Sequence, residues 1–366
     1  LIIMIVICCM PPNIALASKE IKTTVEKGKI NIYDYVSLRE LPEFADLNSE
    51  VKKIVEKSSW WELYGVDWMI VFISFVLVFV SLFLMKSDYV QTVALGIFIL
   101  GCCHSTLAVK TAHLASHGAL TNNKTLQTII SCFVSDICGS FSADLGYDIH
   151  IKVHHPHTNI IGLGDSSTWK MPFLPRYIYM FVGPLLLPVI TIPIVIRDTW
   201  GQWKTMLKYF TLMPIGLAIS FYLLMNISGF SFIGAVFCTL TYRAVLAVPY
   251  IHVNIFQHIG LAMYSRDSRP KKIYQMSTGV LNLPSHPILD YTFGHAIISC
   301  HIEHHLFPKL SDNMCLKIKP LVSKFFHDNG LPYHEDTYMN RMWTFLEHYD
   351  ELMVQAPPIS HFVGIQ

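Results

Sequence analysis

Long runs of apolar residues set the frame of the chain. Residues 68–85 (WMIVFISFVLVFVSLFLM) carry no charge, and a second apolar run, 89–109, follows a turn of Lys86, Ser87 and Asp88. A bilayer core needs about 20 consecutive apolar residues, and a chain inside it must satisfy its own backbone hydrogen bonds, so both runs are predicted as spanning helices of one hairpin. Residues 177–196 are also uncharged but contain Pro184, Pro188 and Pro193, while the stretch 209–265 holds a single formal charge, Arg243, before Arg266. That stretch accommodates two more spans, 209–227 and 231–250, around a short turn at Asn226 to Ser231. Residues 1–17 look like the apolar part of a signal peptide ending Ala15-Leu16-Ala17, but no basic start precedes them. They are expected to be an unremoved anchor or an ill-determined terminus, within an amino-terminal segment 1–67 whose polar remainder ends in Trp60-Trp61 at the membrane interface.

Composition agrees with a lipid environment. Apolar residues make up 52% of the 366 residues and charged ones only 14%, against about 25% in soluble domains. A net charge of +1, from 27 basic and 26 acidic residues, gives no field that would call for nucleic acid. Nine cysteines occur without a C-x-x-C pair, and most read as small hydrophobes in a reducing compartment. The unusual residue is histidine, present 18 times.

Nine of these histidines fall in groups. His113 and His117 stand four apart on one helix face; His150, His154 and His155 follow; Asn254 precedes His258 by one turn; His301, His304 and His305 complete the set. Neighbours such as His154 and His155 diverge by about 100° around a helix, so a doublet serves two ions more readily than one. Nine imidazoles shared by two ions give four or five each. Such a donor set suits iron, copper, zinc or nickel rather than magnesium or calcium, and oxygen chemistry, which needs a redox metal, puts iron first. Asn254 is placed to hold a metal-bound water. Asp144, Asp148, Asp165 and Glu303 are candidates to orient the rings through their outer N–H groups; the alternative for each is a solvated acid. His104, His157, His252, His286 and His295 are expected to pack or support rather than ligate.

Counting sides then limits the topology. If all four groups build one site, the chain between His155 and His258 crosses an even number of times, so one of its three apolar windows does not span. The proline-rich 177–196 is expected to be that one, interfacial or re-entrant, with spans at about 68–87, 89–109, 209–227 and 231–250. Arg197 and Lys204 then put positive charge on the histidine side, as cytoplasmic flanks do. A fifth ordinary span, with some histidines on the far side, is the alternative. The expected fold is all-α: two membrane hairpins and a cytosolic helical cap holding a dimetal site, over 68–366.

The pattern His-x3-His, His-x3-His-His and His-x2-His-His, in this order around two hairpins, resembles the histidine boxes of membrane fatty acid desaturases. The wider stretches 150–155, Gly162-Leu-Gly-Asp-Ser-Ser-Thr-Trp169, 252–260 and 298–308 carry the likeness, which runs from about Ser58 to the carboxyl end, including Ala356-Pro-Pro-Ile359. The resemblance implies a non-haem di-iron centre on the cytoplasmic side of the endoplasmic reticulum, taking two hydrogens from an acyl chain with O2 and two electrons. It places the ligands on His113, His117, His150, His154, His155, His301, His304 and His305, with Asn254 and His258 matching a ninth ligand and its preceding asparagine, and it gives Arg243 a counterpart. His301 stands where related front-end desaturases often carry glutamine, and no His-Pro-Gly-Gly haem signature occurs. An external electron donor, cytochrome b5 with its reductase, is therefore implied, with a lipid or acyl-CoA as substrate. Lipid hydroxylases share the pattern, and a metal-binding scaffold or receptor is a further alternative. Basic residues after the last span (Arg266, Arg269, Lys271, Lys272, Lys317, Lys319, Lys324) are candidates to meet an acidic donor or headgroup, or simply to mark the cytoplasmic side.

Overall fold

The computed structural model describes residues 41–161, 163 and 174–352. The apolar start, Asp165, most of the 162–169 stretch and 356–359 lie outside the described residues. Among those described, the protein is almost wholly helical. An amphipathic helix, α1 (Phe44–Lys57), precedes α2 (Trp61–Leu84) and α3 (Val90–His117); α4 (Lys124–Gly139) and α5 (Ala143–His157) follow, then α6 (Ile178–Asp198), α7 (Trp203–Asn226) and α8 (Phe232–Phe256). Five short or polar helices complete the fold: α9 (Lys272–Gly279), α10 (Pro287–Thr292), α11 (His301–Leu306), α12 (Asp312–Asp328) and α13 (Tyr338–Glu347). Two pairs of two-residue strands clip loops together in parallel, β1 (Ile160–Ile161) with β2 (Tyr264–Ser265) and β3 (Leu281–Asn282) with β4 (His334–Glu335).

Local chemistry explains the boundaries. Asn123, Ser142, Ser231, Ser311 and Thr337 each accept a backbone N–H of the first turn that follows, at α4, α5, α8, α12 and α13. Helix α3 runs unbroken from the apolar 89–109 window through His113 to His117. It stops at Gly118, whose φ of 72° closes the helix in the left-handed region.

Five helices, α2, α3, α6, α7 and α8, are long and apolar enough to cross a membrane by length and composition, and α4 with α5 forms a pair bent by 114°. The chain is thus a multi-pass membrane protein. Segment 177–196, expected to lie in the interface or to re-enter, forms α6, which winds unevenly. Its first residues take wide turns, Pro184–Leu186 form a tight one, and Pro193 sits inside the remaining helix. Phe72, Phe83, Tyr222 and Phe237 are 63–66% exposed, as lipid-facing side chains are in a molecule without its bilayer.

Inside, the hairpins meet through small residues. A β-carbon on Gly216 of α7 would stand 1.9 Å from the Ile137 carbonyl oxygen of α4, and one on Gly101 of α3 would stand 2.8 Å from that of Tyr242 in α8. Only glycine permits either approach. Leu82, Met85, Leu100, Leu224, Ala235, Cys238 and Tyr242 close the far end of the bundle.

Candidate metal centre

The ends of α3 and α5, the loop after α8 and the short α11 converge on one buried volume. Their nine histidines separate into two groups, His113, His117, His150, His155 and His304 in one and His154, His258, His301 and His305 in the other, with the ligand atoms of each group within 4.8 Å of one another. Both doublets are split between the groups, as their divergence requires. His150 pairs with His155, five residues on, rather than with His154. The cause is local winding: residues Asp148–His154 form wide turns with i to i+5 hydrogen bonds, which bring positions five apart onto one face. A similar wide segment, Thr106–Thr111, sets the phase of His113 and His117.

The spacing of the rings tests what they could hold. Two nitrogens bound to one ion at about 2.1 Å stand about 3.0 Å apart at a right angle and about 3.4 Å apart at a tetrahedral one. Facing Nε2 atoms are separated by 3.0 Å (His113–His304), 3.1 Å (His150–His155 and His155–His304), 3.2 Å (His154–His305) and 2.8 Å (His258–His301). Each of these pairs lies within one group, and the values fit right-angle ligation. Protons alone fit poorly, because a ring nitrogen carries either a proton or a lone pair and His304 Nε2 faces two neighbours. His117 Nε2 is buried with no hydrogen-bond partner among the described residues. These donors fit a pair of transition-metal ions.

Burial, followed by the crowding of neighbouring rings, holds His150, His155, His301, His304 and His305 well below the ordinary value of 6.5. They are therefore neutral near pH 7, with lone pairs available.

Three outer nitrogens of the four-histidine group meet backbone carbonyls or a hydroxyl rather than the acids the sequence pointed to. His301 Nδ1 lies 2.9 Å from the Ala296 carbonyl, His258 Nδ1 lies 3.4 Å from that of Gly279, and His305 Nδ1 lies 3.2 Å from the Thr158 hydroxyl. Asp144 is ion-paired to Lys208 at 2.6 Å and Asp148 to Lys152 at 2.6 Å, both carboxylates about half exposed. Glu303 is fully buried, and burial pushes its pKa up. It accepts from Tyr333 Oη at 2.6 Å and Asn282 Nδ2 at 3.0 Å, while Asn282 Oδ1 takes the Ile302 N–H, so it fastens α11 to β3. Asn254 donates Nδ2 to the Tyr250 carbonyl at 2.7 Å. His252 bridges Tyr338 and the Met180 carbonyl, His295 meets Ser299, His286 caps α10, and His104 packs edge-on against Tyr242. Arg243 reaches the Cys138 carbonyl at 3.4 Å.

Two supports escaped the sequence reading. Lys110 of α3, almost wholly buried, sits 3.3 Å from Asp67 of α2 and 2.9 Å from Asp312 of α12. Asp312 also accepts the Ala296 N–H at 2.9 Å, so this ion cluster holds the residue whose carbonyl orients His301. Lys110 and Asp67 flank the apolar windows in sequence, where they look like ordinary end charges. The second support is Thr158-Asn159. Asn159, at φ 55°, aims Nδ2 at the carbonyls of His258, Ala262 and Gly279. Of the basic residues considered for docking, Lys271, Lys317, Lys319 and Lys324 are paired with Glu43, Glu62, Glu335 and Asp328, while Arg269 and Lys272 reach the carbonyls of Pro156 and Leu306.

Comparison with known proteins adds an independent finding. The model of the family described as fatty acid desaturase matches residues 89–337. The chain is 51% identical over 324 residues to fatty acid desaturase 6 of Bos taurus, covering 88% of this chain and 94% of the relative. It is 49% identical over 326 residues to fatty acid desaturase 6 of Homo sapiens, covering 87% and 90%. A Delta(5) fatty acid desaturase of Caenorhabditis elegans is 29% identical over 112 residues, 30% of this chain and 24% of that one.

Proposed function

The chain belongs to the fatty acid desaturase family and is a membrane oxidoreductase, and from that premise we propose that it introduces a carbon–carbon double bond into a lipid's acyl chain at a pair of iron ions. The observation that carries the iron pair is the partition of nine imidazoles into groups of five and four, with both doublets split. When bound, the iron pair supplies the redox chemistry that uses O2 and two electrons to remove two hydrogens.

The chain's own residues hold, orient and keep dry. His113, His117, His150, His155 and His304 would hold one ion, and His154, His258, His301 and His305 would hold the other. With its Nδ2 committed to Tyr250, Asn254 would offer its side-chain oxygen to a water at the second ion. Low proton affinity in the buried rings keeps their lone pairs free at neutral pH. The cation cluster around Lys110 fixes Ala296 and through it His301. With Asp144 and Asp148 taken by Lys208 and Lys152, Asp165 is the acid we assign to the surroundings of the second box, and Glu303 the support of the third.

We read residues 68–366 as the desaturase unit, with 1–67 as its amino-terminal segment. His154 and His258 share one group, which supports an even number of crossings between them. It therefore favours four spans, α2, α3, α7 and α8, with α6 interfacial or re-entrant. His117 before the α4–α5 bend and His150 after it also share a group, which supports a bend that returns to the side it left. Exposed Trp60, Trp61, Trp200 and Trp203 lie at the histidine-side ends of α2 and α7 and suit an interface there. Arg197 and Lys204 favour the cytoplasm for that side, and the endoplasmic reticulum is the membrane we assign. The electron donor is external, cytochrome b5 with its reductase, and the substrate is a lipid or acyl-CoA.

Expression in a host of simple lipid composition, with cytochrome b5 supplied, tests the reading. New unsaturated species are expected with the intact protein and none with His304→Ala. Hydroxylated species in their place would make the protein a hydroxylase, and identical lipidomes would refute catalysis.

A further inference from the structure

Thr158 stands at the end of α5, fully buried, in contact with two of the four histidines that form the smaller group. Its Oγ1 lies 2.8 Å from the carbonyl oxygen of His154, one helical turn earlier, and 3.2 Å from Nδ1 of His305. A carbonyl oxygen only accepts, so the single hydroxyl proton of Thr158 is spent on His154, the back-bond that threonine commonly makes at this spacing. Toward His305 the hydroxyl can then only accept. His305 must therefore carry its proton on Nδ1, which leaves the lone pair on Nε2, the atom that faces His154 Nε2 at 3.2 Å. The threonine is itself pinned, because Gln275 Nε2 donates to its carbonyl oxygen at 2.6 Å.

We propose that Thr158 is a positioning residue for the four-histidine ion: by committing its proton to the His154 carbonyl it selects the His305 tautomer that ligates, and it couples the second box to the third. The inference rests on the dimetal reading above. Backbone carbonyls hold His301 and His258 from outside, so Thr158 supplies the side-chain counterpart for His305. In the five-histidine group Nδ1 of His113, His155 and His304 is buried with no partner among the described residues. Among the described residues Thr158 Oγ1 touches no ring of that group, its one approach there being 3.5 Å from the His155 backbone carbonyl, so loss of the hydroxyl falls chiefly on the four-histidine ion.

The consequence is selective. Partners of a ligating ring's outer nitrogen are worth about 10–100-fold in metal affinity. Full-length protein, purified in detergent and reconstituted anaerobically with ferrous iron, is titrated with a chelator while bound iron per chain is counted. Wild type is expected to hold two ions. Thr158→Val, which keeps shape but not the hydroxyl, is expected to release one ion at about 10–100-fold less chelator and to keep the other. Thr158→Ser is expected to follow wild type. Should the valine variant not fold, Thr158→Ala against Thr158→Ser differs by the hydroxyl alone and decides the matter. Mössbauer spectra should show one of two iron environments depleted.

The inference fails if the valine or alanine variant releases both ions at the wild-type chelator concentration, if both ions leave together, or if serine behaves as valine does. A wild type that binds fewer than two ions would instead overturn the dimetal reading on which it stands.

Discussion

Replacing Lys110 by methionine is a direct test of how the metal centre is braced. Lys110 is 1% exposed between two carboxylates that are equally buried, at 2.9 Å from Asp312 and 3.3 Å from Asp67. At an effective dielectric of about 20 these separations correspond to about 6 and about 5 kcal/mol of gross attraction, most of it offsetting the desolvation of three charges. Lys110→Met keeps the volume but leaves two buried carboxylates facing each other without a cation. Breaking such a cluster from one side costs about 3–5 kcal/mol, and at about 2 °C per kcal/mol the thermal midpoint of detergent-solubilised protein falls by at least about 6 °C. The triple variant Lys110→Met, Asp67→Asn, Asp312→Asn removes the stranded charge, and the amide oxygen it places beside Ala296 can still accept that residue's N–H; it is expected to regain more than half of the loss. Iron content should fall with the single variant, because Asp312 holds Ala296 and Ala296 holds His301. A single variant within about 1 kcal/mol of wild type, or a triple variant as unstable as the single, would refute the bracing argument.

The buried histidines make the metal-free protein acid-sensitive. Folded, His150, His155, His301, His304 and His305 sit well below 6.5, whereas unfolded they titrate near that value. Below it the unfolded chain therefore binds protons that the folded chain refuses, at about 1.4 kcal/mol per pH unit for each ring. After chelator treatment the melting temperature should be flat above about pH 7.5 and drop steeply below about pH 6.5; a profile that stays level down to about pH 5 would contradict the assignment. Gly216→Ala forces a β-carbon to 1.9 Å from the Ile137 carbonyl and should cost about 1–3 kcal/mol, whereas Gly183→Ala, whose closest neighbour is at 3.4 Å, should be mild. Equal melting temperatures for the two would show that α7 and α4 do not meet as described.

The helices and the site were legible in the sequence to different depths. Apolar runs announced α2, α3, α7 and α8 because lipid allows no polar interruption, and the adjacency of His154-His155 and His304-His305 announced two groups because a helix cannot turn both rings the same way. The pairing of His150 with His155 was not legible, since it depends on wide turns that leave no compositional mark. Nor was the ring-orienting set: carboxylates near a box are conspicuous in sequence, but Asp144 and Asp148 end on lysines, while the carbonyls of Ala296 and Gly279 belong to every chain and so carry no signal. Lys110, Asp67 and Asp312 are widely separated in sequence and meet only in three dimensions.

The wide turn at Thr106–Thr111 also makes winding an informational element of the protein. Such a turn accommodates one residue beyond what a regular helix would use over the same rise. Were the same residues wound as a regular α-helix, His113 and His117 would be carried about 100° away from the rings of His150 and His304, whereas removing one residue would regularise the helix and leave both rings where they are. The winding that would best suit the backbone of this segment, with every residue kept, is therefore the one that would dismantle the centre. What this segment encodes for the reaction is a phase, a gauge whose error no substitution at the histidines themselves could correct.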